Sequence, residues 1–227
     1  MSDITLAAVD QDEALTSAIA DLCGSTRAGF LRNTALGGTA MLAALTAPAS
    51  AAQVSDVDIL RFGLRFERLQ ATFYTQAEEL GTIGRMSNAK QEWARTLGAH
   101  ERAHVKIIKE VLGPKAEGSP RFDFGNANET DGAFTRTAVA MEDLTVALLG
   151  GLTPKIQNRG LTAALFGLLT VEARHAAWAR NIARTTPAAR AFDEPRSLAS
   201  VRRTVAKTRF IVAAPKTAAR GKPRYTG

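Results

Sequence analysis

The chain has 227 residues, of which 45% are hydrophobic and 22% charged, and its formal net charge is +7. This length allows one ample domain with extensions. Positions 196–227 contain several Lys and Arg residues and no acidic residue. The positive charge therefore belongs to this tail, and the rest of the chain is slightly acidic. That distribution excludes a general nucleic-acid-binding protein, and we expect no specific nucleic-acid partner.

Residues 1–52 are predicted to be an export signal or a leader. The run S-T-R-A-G-F-L-R at 25–32 precedes a chargeless stretch, 33–55, rich in Ala, Leu, Gly and Thr. This arrangement resembles a bacterial twin-arginine export signal, with Ala28 at the place of the second arginine, and Ala49-Ser50-Ala51 fits the small-x-small cleavage rule. The alternatives are a disordered Ala-rich leader and an uncleaved helix that packs on the folded domain.

Cys23 lies upstream of the predicted cleavage site, so the exported chain would contain no cysteine. Disulfides would then contribute nothing to its stability. The apolar run is too short and too weak to predict a membrane span.

Four long helices are predicted, over about 55–80, 87–112, 131–149 and 161–184. Ser55 is a suitable N-cap for the first helix. Gly113-Pro114 ends the second helix and Gly150-Gly151 ends the third. The segment 115–130 between them is rich in Gly, Ser, Pro, Asn and Asp, which predicts a crossover loop.

Two of these helices carry a Glu-x-x-His motif within an apolar stripe. Glu172 and His175 lie three residues apart in an Ala-rich run, and Glu101 and His104 repeat the pattern on the second helix. Residues i and i+3 share one face of a helix, so each pair lies in a seam that is expected to be buried. Unpaired charge is costly there.

The other two helices carry a single glutamate on an apolar stripe, Glu67 on the first and Glu142 on the third. The chain is therefore an internal repeat of two helix pairs. Four converging carboxylates would carry a charge of about −4, which repulsion and desolvation oppose. Two divalent cations would neutralise it, and oxygen with imidazole ligands suits iron or manganese. The alternative is a metal-free bundle in which the same groups form salt bridges.

This pattern resembles the ligand set of the ferritin-like carboxylate di-metal proteins, with a Glu from each of two helices and a Glu-x-x-His from each of the other two. The resemblance implies an all-α fold, a ferritin-like up-down four-helix bundle with a long crossover between helices two and three. It also implies that two iron or manganese ions are bound by Glu67, Glu101, His104, Glu142, Glu172 and His175. Either Glu101 with Glu142, or Glu67 with Glu172, is predicted to bridge the metals.

Four further motifs carry a closer resemblance, P-R-F-D-F-G at 120–125, A-x-E-D at 140–143, V-E-A-R-H-A-A at 171–177 and A-F-D-E-P at 191–195. They are similar to exported bacterial ferritin-like proteins related to plant desiccation-related proteins. We therefore expect a periplasmic or extracytoplasmic protein that is redox-active towards dioxygen, peroxide or ferrous iron. The alternative is a stress- or desiccation-related structural or binding protein whose metals are non-catalytic or absent.

Tyr74 is a candidate catalytic residue because it lies two turns from Glu67 on the same face, about 10 Å along the axis. A tyrosine at this spacing serves in electron transfer in ferritin-like oxidases, which the resemblance extends to Tyr74. The alternative is a core aromatic whose hydroxyl bonds a buried carboxylate. His100, off the stripe of Glu101, is predicted to be either a surface residue or a neighbour of a metal ligand.

The predicted domains are the leader at 1–52, the bundle at 53–190 and a C-terminal extension at 191–227. A short amphipathic helix is predicted over 197–210, docking through Leu198, Val201 and Val205. Beyond 213 the composition predicts disorder, with a role either as a solvated end or in electrostatic contact with envelope polyanions. A homo-oligomer is left open by the sequence.

Overall fold

The computed structural model describes residues 54–212. The predicted leader, including Cys23, and the basic tail from residue 213 lie outside this range. Within it, the predicted all-α four-helix bundle is confirmed. The long helices are α1 (Asp56–Glu79), α2 (Asn88–Leu112), α3 (Asp131–Leu152) and α4 (Arg159–Ile182), and a short α5 (Leu198–Thr208) follows them.

Four helices begin at a side chain that caps the backbone. Ser55, Thr130, Asn158 and Ser197 each accept a hydrogen bond from the backbone N–H three residues further on. Such caps satisfy a donor that has no partner inside the helix. Local sequence therefore fixes where α1, α3, α4 and α5 begin.

The polar contacts at the two ends of the bundle define the helix directions. Lys90 Nζ is 2.6 Å from Asp131 Oδ1, which brings the first residues of α2 and α3 together. At the other end, the Asp56 carboxylate accepts the backbone N–H groups of Gln157 and Asn158, both at 3.0 Å. Helices α2 and α3 are therefore parallel, and the segment between them runs back along the whole bundle, as the predicted crossover requires.

The crossover segment contains short regular structure that the sequence analysis did not predict. A two-residue strand β1 (Arg121–Phe122) pairs antiparallel with β2 (Ile211–Val212), which follows α5. Arginines of α1 hold the start of the same segment, since Arg61 donates to Lys115 O at 2.9 Å and Arg68 to Glu117 O at 2.6 Å. Interactions with distant parts of the chain thus order this connection.

Aromatic rings fill one end of the core. Phe73 of α1 stacks on Phe134 of α3 with centroids 5.0 Å apart, and Trp93 of α2 meets Phe134 edge-on at 5.7 Å. All three side chains are fully buried. This cluster holds α1, α2 and α3 together one to two turns from the centre of the bundle.

The predicted end of the third helix at residue 149 is wrong, because α3 continues through Gly150 and Gly151 to Leu152. A Cβ atom added at Gly151 would overlap the backbone of Arg196, whose N–H donates to Ala147 O at 2.8 Å. Gly151 therefore does not end the helix. Because it has no side chain, it allows the backbone at Arg196 to pack directly against α3. Two adjacent glycines cost a helix about 2 kcal/mol, which such packing can offset.

The C-terminal helix docks as predicted. Val201 and Val205 of α5 are buried, and Leu198 packs against the core. Among the helices that residues 54–212 form, none has the length and hydropathy needed to cross a bilayer.

The two glycines of α3 allow a matched test of this packing. Gly151→Ala should destabilise the protein by about 1–3 kcal/mol, because the new methyl group overlaps backbone. Gly150→Ala should be neutral or stabilising by up to about 1 kcal/mol, since its Cβ would meet only Pro195, with Cβ at 3.7 Å and Cα at 3.9 Å, and alanine favours the helix. Urea unfolding of both variants measures the difference. Equal stabilities would show that the close passage of Arg196 is not a constraint.

Candidate metal centre

The structure brings all six predicted ligands together at the centre of the bundle. They form two groups, and within each group one potential ligand atom per residue lies within 4.8 Å of the others. The first subsite consists of Glu67, Glu101, His104 and Glu172, and the second of Glu101, Glu142, Glu172 and His175.

The two groups share Glu101 and Glu172, one glutamate from each of the two predicted bridging pairs. His104 Nδ1 on α2 lies 3.0 Å from Glu172 Oε1 on α4, while His175 Nδ1 on α4 lies 3.2 Å from Glu101 Oε1 on α2. Each histidine thus faces the glutamate of the opposite motif. The glutamates of the two Glu-x-x-His motifs therefore lie between the subsites, and Glu67 and Glu142 lie at opposite ends.

Each histidine presents a single nitrogen to three carboxylates. His104 Nδ1 is also 3.2 Å from Glu67 Oε2 and 3.8 Å from Glu101 Oε2. His175 Nδ1 is also 3.4 Å from Glu172 Oε2 and 3.7 Å from Glu142 Oε2. A ring nitrogen carries at most one hydrogen, so it cannot donate to three acceptors.

Most of these acceptors consequently have no hydrogen bond. Both oxygens of Glu101, both of Glu172, Glu142 Oε2 and His175 Nδ1 are buried without a partner of acceptable geometry. Glu67 is 1% exposed, Glu101, Glu142 and Glu172 are 0% exposed, and His175 is 3% exposed. Unpaired carboxylates in such a place cost free energy that a bound cation would recover. The residues present therefore fit a divalent metal site.

Burial and mutual repulsion favour protons on two of the carboxylates. Burial raises the pKa of Glu101 well above its usual range, and the charges of Glu172 and Glu67 add to the effect. Burial likewise raises the pKa of Glu142, with repulsion from Glu101 and Glu172. A cation entering the cluster must therefore displace protons.

The charges of Glu172 and His104 stabilise each other. Burial alone would raise the pKa of Glu172, but its contacts with His104 and His175 outweigh burial and lower it to about 2. For His104, burial opposes the charged ring, but contacts with Glu101, Glu172 and Glu67 prevail and raise its pKa well above the usual value. Without metal, one imidazolium would thus partly take the place of a cation.

Tyr74 is fully buried next to the cluster. Its hydroxyl donates to Glu142 Oε1 at 2.6 Å, as in the predicted alternative of a core aromatic bonded to a carboxylate. Burial, and then the charge of Glu142, raise the pKa of Tyr74 well above 10. Gly98 of α2 allows this position, because a Cβ there would lie 2.9 Å from Tyr74 Cβ. Tyr74 therefore orients Glu142, one of the six predicted ligands, through this hydrogen bond.

His100 is half-buried and lies next to His175, one of the six predicted ligands. Its Nδ1 lies 2.9 Å from Nε2 of His175, and the two rings stack with centroids 5.1 Å apart. Burial, and then the charges of His175 and His104, lower the pKa of His100. The sequence contained one indication that His100 lies near the cluster. The chain has only three histidines, and His100 directly precedes Glu101.

A neutral polar pair beside the site was missed by sequence reasoning. The Thr145 hydroxyl donates to Gln70 Oε1, linking α3 to α1 one turn from Glu142 and from Glu67. Gln70 Nε2 is buried without a partner. Neutral side chains on a helix stripe carry no charge pattern, so nothing in the sequence indicated that these two would pair.

The comparisons with known proteins agree with this geometry. The family model of the ferritin-like domain matches residues 55–185, more than half of the chain, and this range includes all six clustered residues. A comparison with curated proteins gives no match. The four-helix bundle, its long crossover and the family match together establish that the chain belongs to the ferritin-like family.

Proposed function

We propose that this protein binds two iron or manganese ions at the centre of the bundle. The observation that carries the proposal is the set of buried carboxylate oxygens without hydrogen bonds. The Nδ1 atoms of His104 and His175 both point at these oxygens. In this arrangement Glu101 and Glu172 bridge the metals, Glu67 and His104 complete the first subsite, and Glu142 and His175 complete the second. Carboxylate and imidazole donors are those that iron and manganese accept.

We further propose a redox function towards dioxygen, peroxide or ferrous iron. Two bound iron or manganese ions would supply redox chemistry, one electron from each metal, and iron oxidation and peroxide disproportionation are the two proposed reactions. The protein's own residues would hold the metals and exclude bulk water, and Glu101 and Glu142, whose pKa values are raised in the metal-free centre, would release protons as the metals enter. The loss of these protons would keep the buried charge small when the cations bind.

The burial of the ligands limits the substrate class. All four glutamates are at most 1% exposed, and only His104 among the six is half-buried. A large organic substrate would not reach the cluster without a rearrangement of the helices. Small oxidants and metal ions are therefore the substrates that fit this centre.

The second candidate is a stress- or desiccation-related protein in which the same metals are non-catalytic. Deep burial favours it, because a closed site with all protein ligands stabilises a fold without offering a position for substrate. Both candidates require bound metal and differ in turnover. They are therefore separated by activity measurements on protein of known metal content.

The metal content itself is the first test. Protein loaded with Fe²⁺ or Mn²⁺ should contain close to two ions per chain by elemental analysis. Glu101→Ala and Glu172→Ala should lose both ions, because each removes a shared ligand, whereas Glu142→Ala should retain one. No metal in the loaded wild type would contradict the proposal, and equal losses in all three variants would contradict the assignment of the bridges.

The same preparations test the redox function and Tyr74. Two bound ions with oxidation of Fe²⁺ or breakdown of peroxide would support the redox protein, and two bound ions without turnover would support the non-catalytic one. Tyr74→Phe keeps the ring but removes the hydroxyl. A slower reaction at unchanged metal content would show that the hydroxyl takes part in the reaction, either by electron transfer or by orienting Glu142, and an unchanged rate would leave Tyr74 a packing residue.

The pH dependence of stability should reveal the protons in the metal-free centre. Because the pKa values of Glu101 and Glu142 are raised, the folded state binds more protons than the unfolded chain above about pH 4.3. Stability should therefore fall as pH rises from about 5 to 8, and the loss of the His104 proton acts in the same direction. Urea unfolding with a chelator present measures this slope.

Glu142→Gln removes one of these protons without changing shape. At pH 8 it should stabilise the metal-free protein by about 1–3 kcal/mol, the cost of one unsatisfied buried group. Glu79→Gln, on the exposed last turn of α1, is the matched control and should have little effect. Bound metal should weaken or reverse the slope in the wild type, since metal binding releases protons. If stability fell equally steeply with pH in the wild type and in Glu142→Gln, Glu142 would not contribute to the pH dependence.

Export remains a proposal that rests on residues 1–52, with Ser25–Arg32 and the chargeless run as its support. If the segment is a cleaved signal, protein from its native compartment should begin near residue 52 by mass spectrometry and fractionate with extracytoplasmic proteins. Substitution of Arg27 by Gln should retain the uncleaved precursor inside the cell. A full-length chain in the extracytoplasmic fraction would contradict cleavage, and one confined to the cytoplasm would contradict export.

A further inference from the structure

The three histidines of the chain lie in one row across α2 and α4. The ring of His175 lies between the other two, 5.1 Å from His100 and 5.9 Å from His104 by centroid distances. His104 and His175 belong to the proposed metal ligands. His100 does not, yet it makes the one side-chain hydrogen bond to His175 that residues 54–212 contain.

If His175 binds metal through Nδ1, His175 must be the donor in its hydrogen bond with His100. A neutral imidazole has one N–H group and one lone pair. His175 Nδ1 lies 3.2–3.7 Å from oxygens of Glu101, Glu172 and Glu142, so this is the nitrogen available to a metal. The hydrogen of His175 is then on Nε2, which lies 2.9 Å from His100 Nδ1. His100 must accept at Nδ1 and carry its own hydrogen on Nε2.

We propose that His100 is a positioning residue for the second subsite. By accepting the hydrogen bond from His175 Nε2–H, it holds that ring in the tautomer and orientation that direct the Nδ1 lone pair at the metal. This inference rests on the proposed di-metal function. Groups that orient a metal-binding histidine in this way commonly change metal affinity roughly 10- to 100-fold when removed.

The loss of metal affinity on removing His100 should be confined to the second subsite. Both hydrogen bonds that orient a ligand from outside the cluster are made to residues of that subsite. Tyr74 donates to Glu142 and His100 contacts His175, and both of these ligands belong to the second subsite alone. In the first subsite Glu67 and His104 contact each other at 3.2 Å, and neither has a further side-chain hydrogen bond within residues 54–212.

The internal repeat shows why the subsites differ. Tyr74 lies seven residues after Glu67, and the equivalent position after Glu142 is Leu149. His100 directly precedes Glu101, and the residue that directly precedes Glu172 is Val171. The ligands are repeated in the second helix pair, but their polar neighbours are replaced by aliphatic side chains. Only one subsite therefore has oriented ligands.

Three variants test the role of His100 by Mn²⁺ titration, with free Mn²⁺ followed by electron paramagnetic resonance. His100→Leu removes the acceptor and should weaken the tighter of two binding steps roughly 10- to 100-fold. His100→Asn places an amide oxygen near the position of Nδ1 and should retain most of the affinity. Val171→Leu, the same residue at the equivalent position of the repeat, is the matched control and should leave both steps unchanged.

A second measurement on the wild type does not depend on any variant folding. Since the chain has three histidines, nitrogen-15 imidazole spectra of the Zn²⁺-loaded protein contain only three ring systems. His175 and His100 should both carry hydrogen on Nε2, with His175 Nδ1 bound to metal. A hydrogen on His100 Nδ1 would overturn the inference.

The outcomes separate this inference from the proposed function. A wild type that binds no metal contradicts both. A wild type that binds two ions, together with His100→Leu that binds them equally well, contradicts the positioning role alone. Equal losses in His100→Leu and His100→Asn would also overturn it, because an acceptor at that position would then have no effect.

Discussion

The burial of four carboxylates around two imidazole nitrogens is the interaction on which the other features depend. Each carboxylate would be destabilising alone, and the two histidines cannot donate to all of them. The helices must nevertheless approach closely enough to enclose the cluster, which is why Gly98 faces Tyr74 without a side chain. The core that encloses the cluster and the burial that leaves its carboxylate oxygens without hydrogen bonds are thus parts of one arrangement.

Polar contacts far from the cluster keep the two helix pairs in register. Asp56 ties the start of α1 to the turn between α3 and α4, and Lys90 with Asp131 ties the start of α2 to that of α3. These contacts lie at opposite ends of the bundle. Together they limit sliding of one pair against the other, and a shift of one turn would separate Glu142 from Tyr74. The ends of the bundle therefore contribute to the geometry at its centre.

Helix periodicity and the Glu-x-x-His spacing predicted which residues share an apolar stripe, because both depend on positions along single helices. The resemblance to ferritin-like proteins added that the four helices form one bundle and that the six residues converge in it. The two glutamates that both groups share were not predictable in the same way, since they depend on the rotation of α2 relative to α4, which places Glu101 and Glu172 in both groups. Gly150 and Gly151 were misread for a related reason. A glycine that ends a helix and one that admits another segment look the same until Arg196 is seen to cross α3.

The ligands repeat along the chain, but the site is not symmetric. Ligation needs the same donors in both helix pairs, so the repeat keeps Glu and His at equivalent positions. Orientation of a ligand needs a neighbour that suits its own rotamer, and Tyr74 and His100 supply such neighbours only to Glu142 and His175. His104 on the other side is half-buried and has no such neighbour among the described residues. The two groups therefore share their carboxylate and imidazole donors but differ in the polar side chains that surround them.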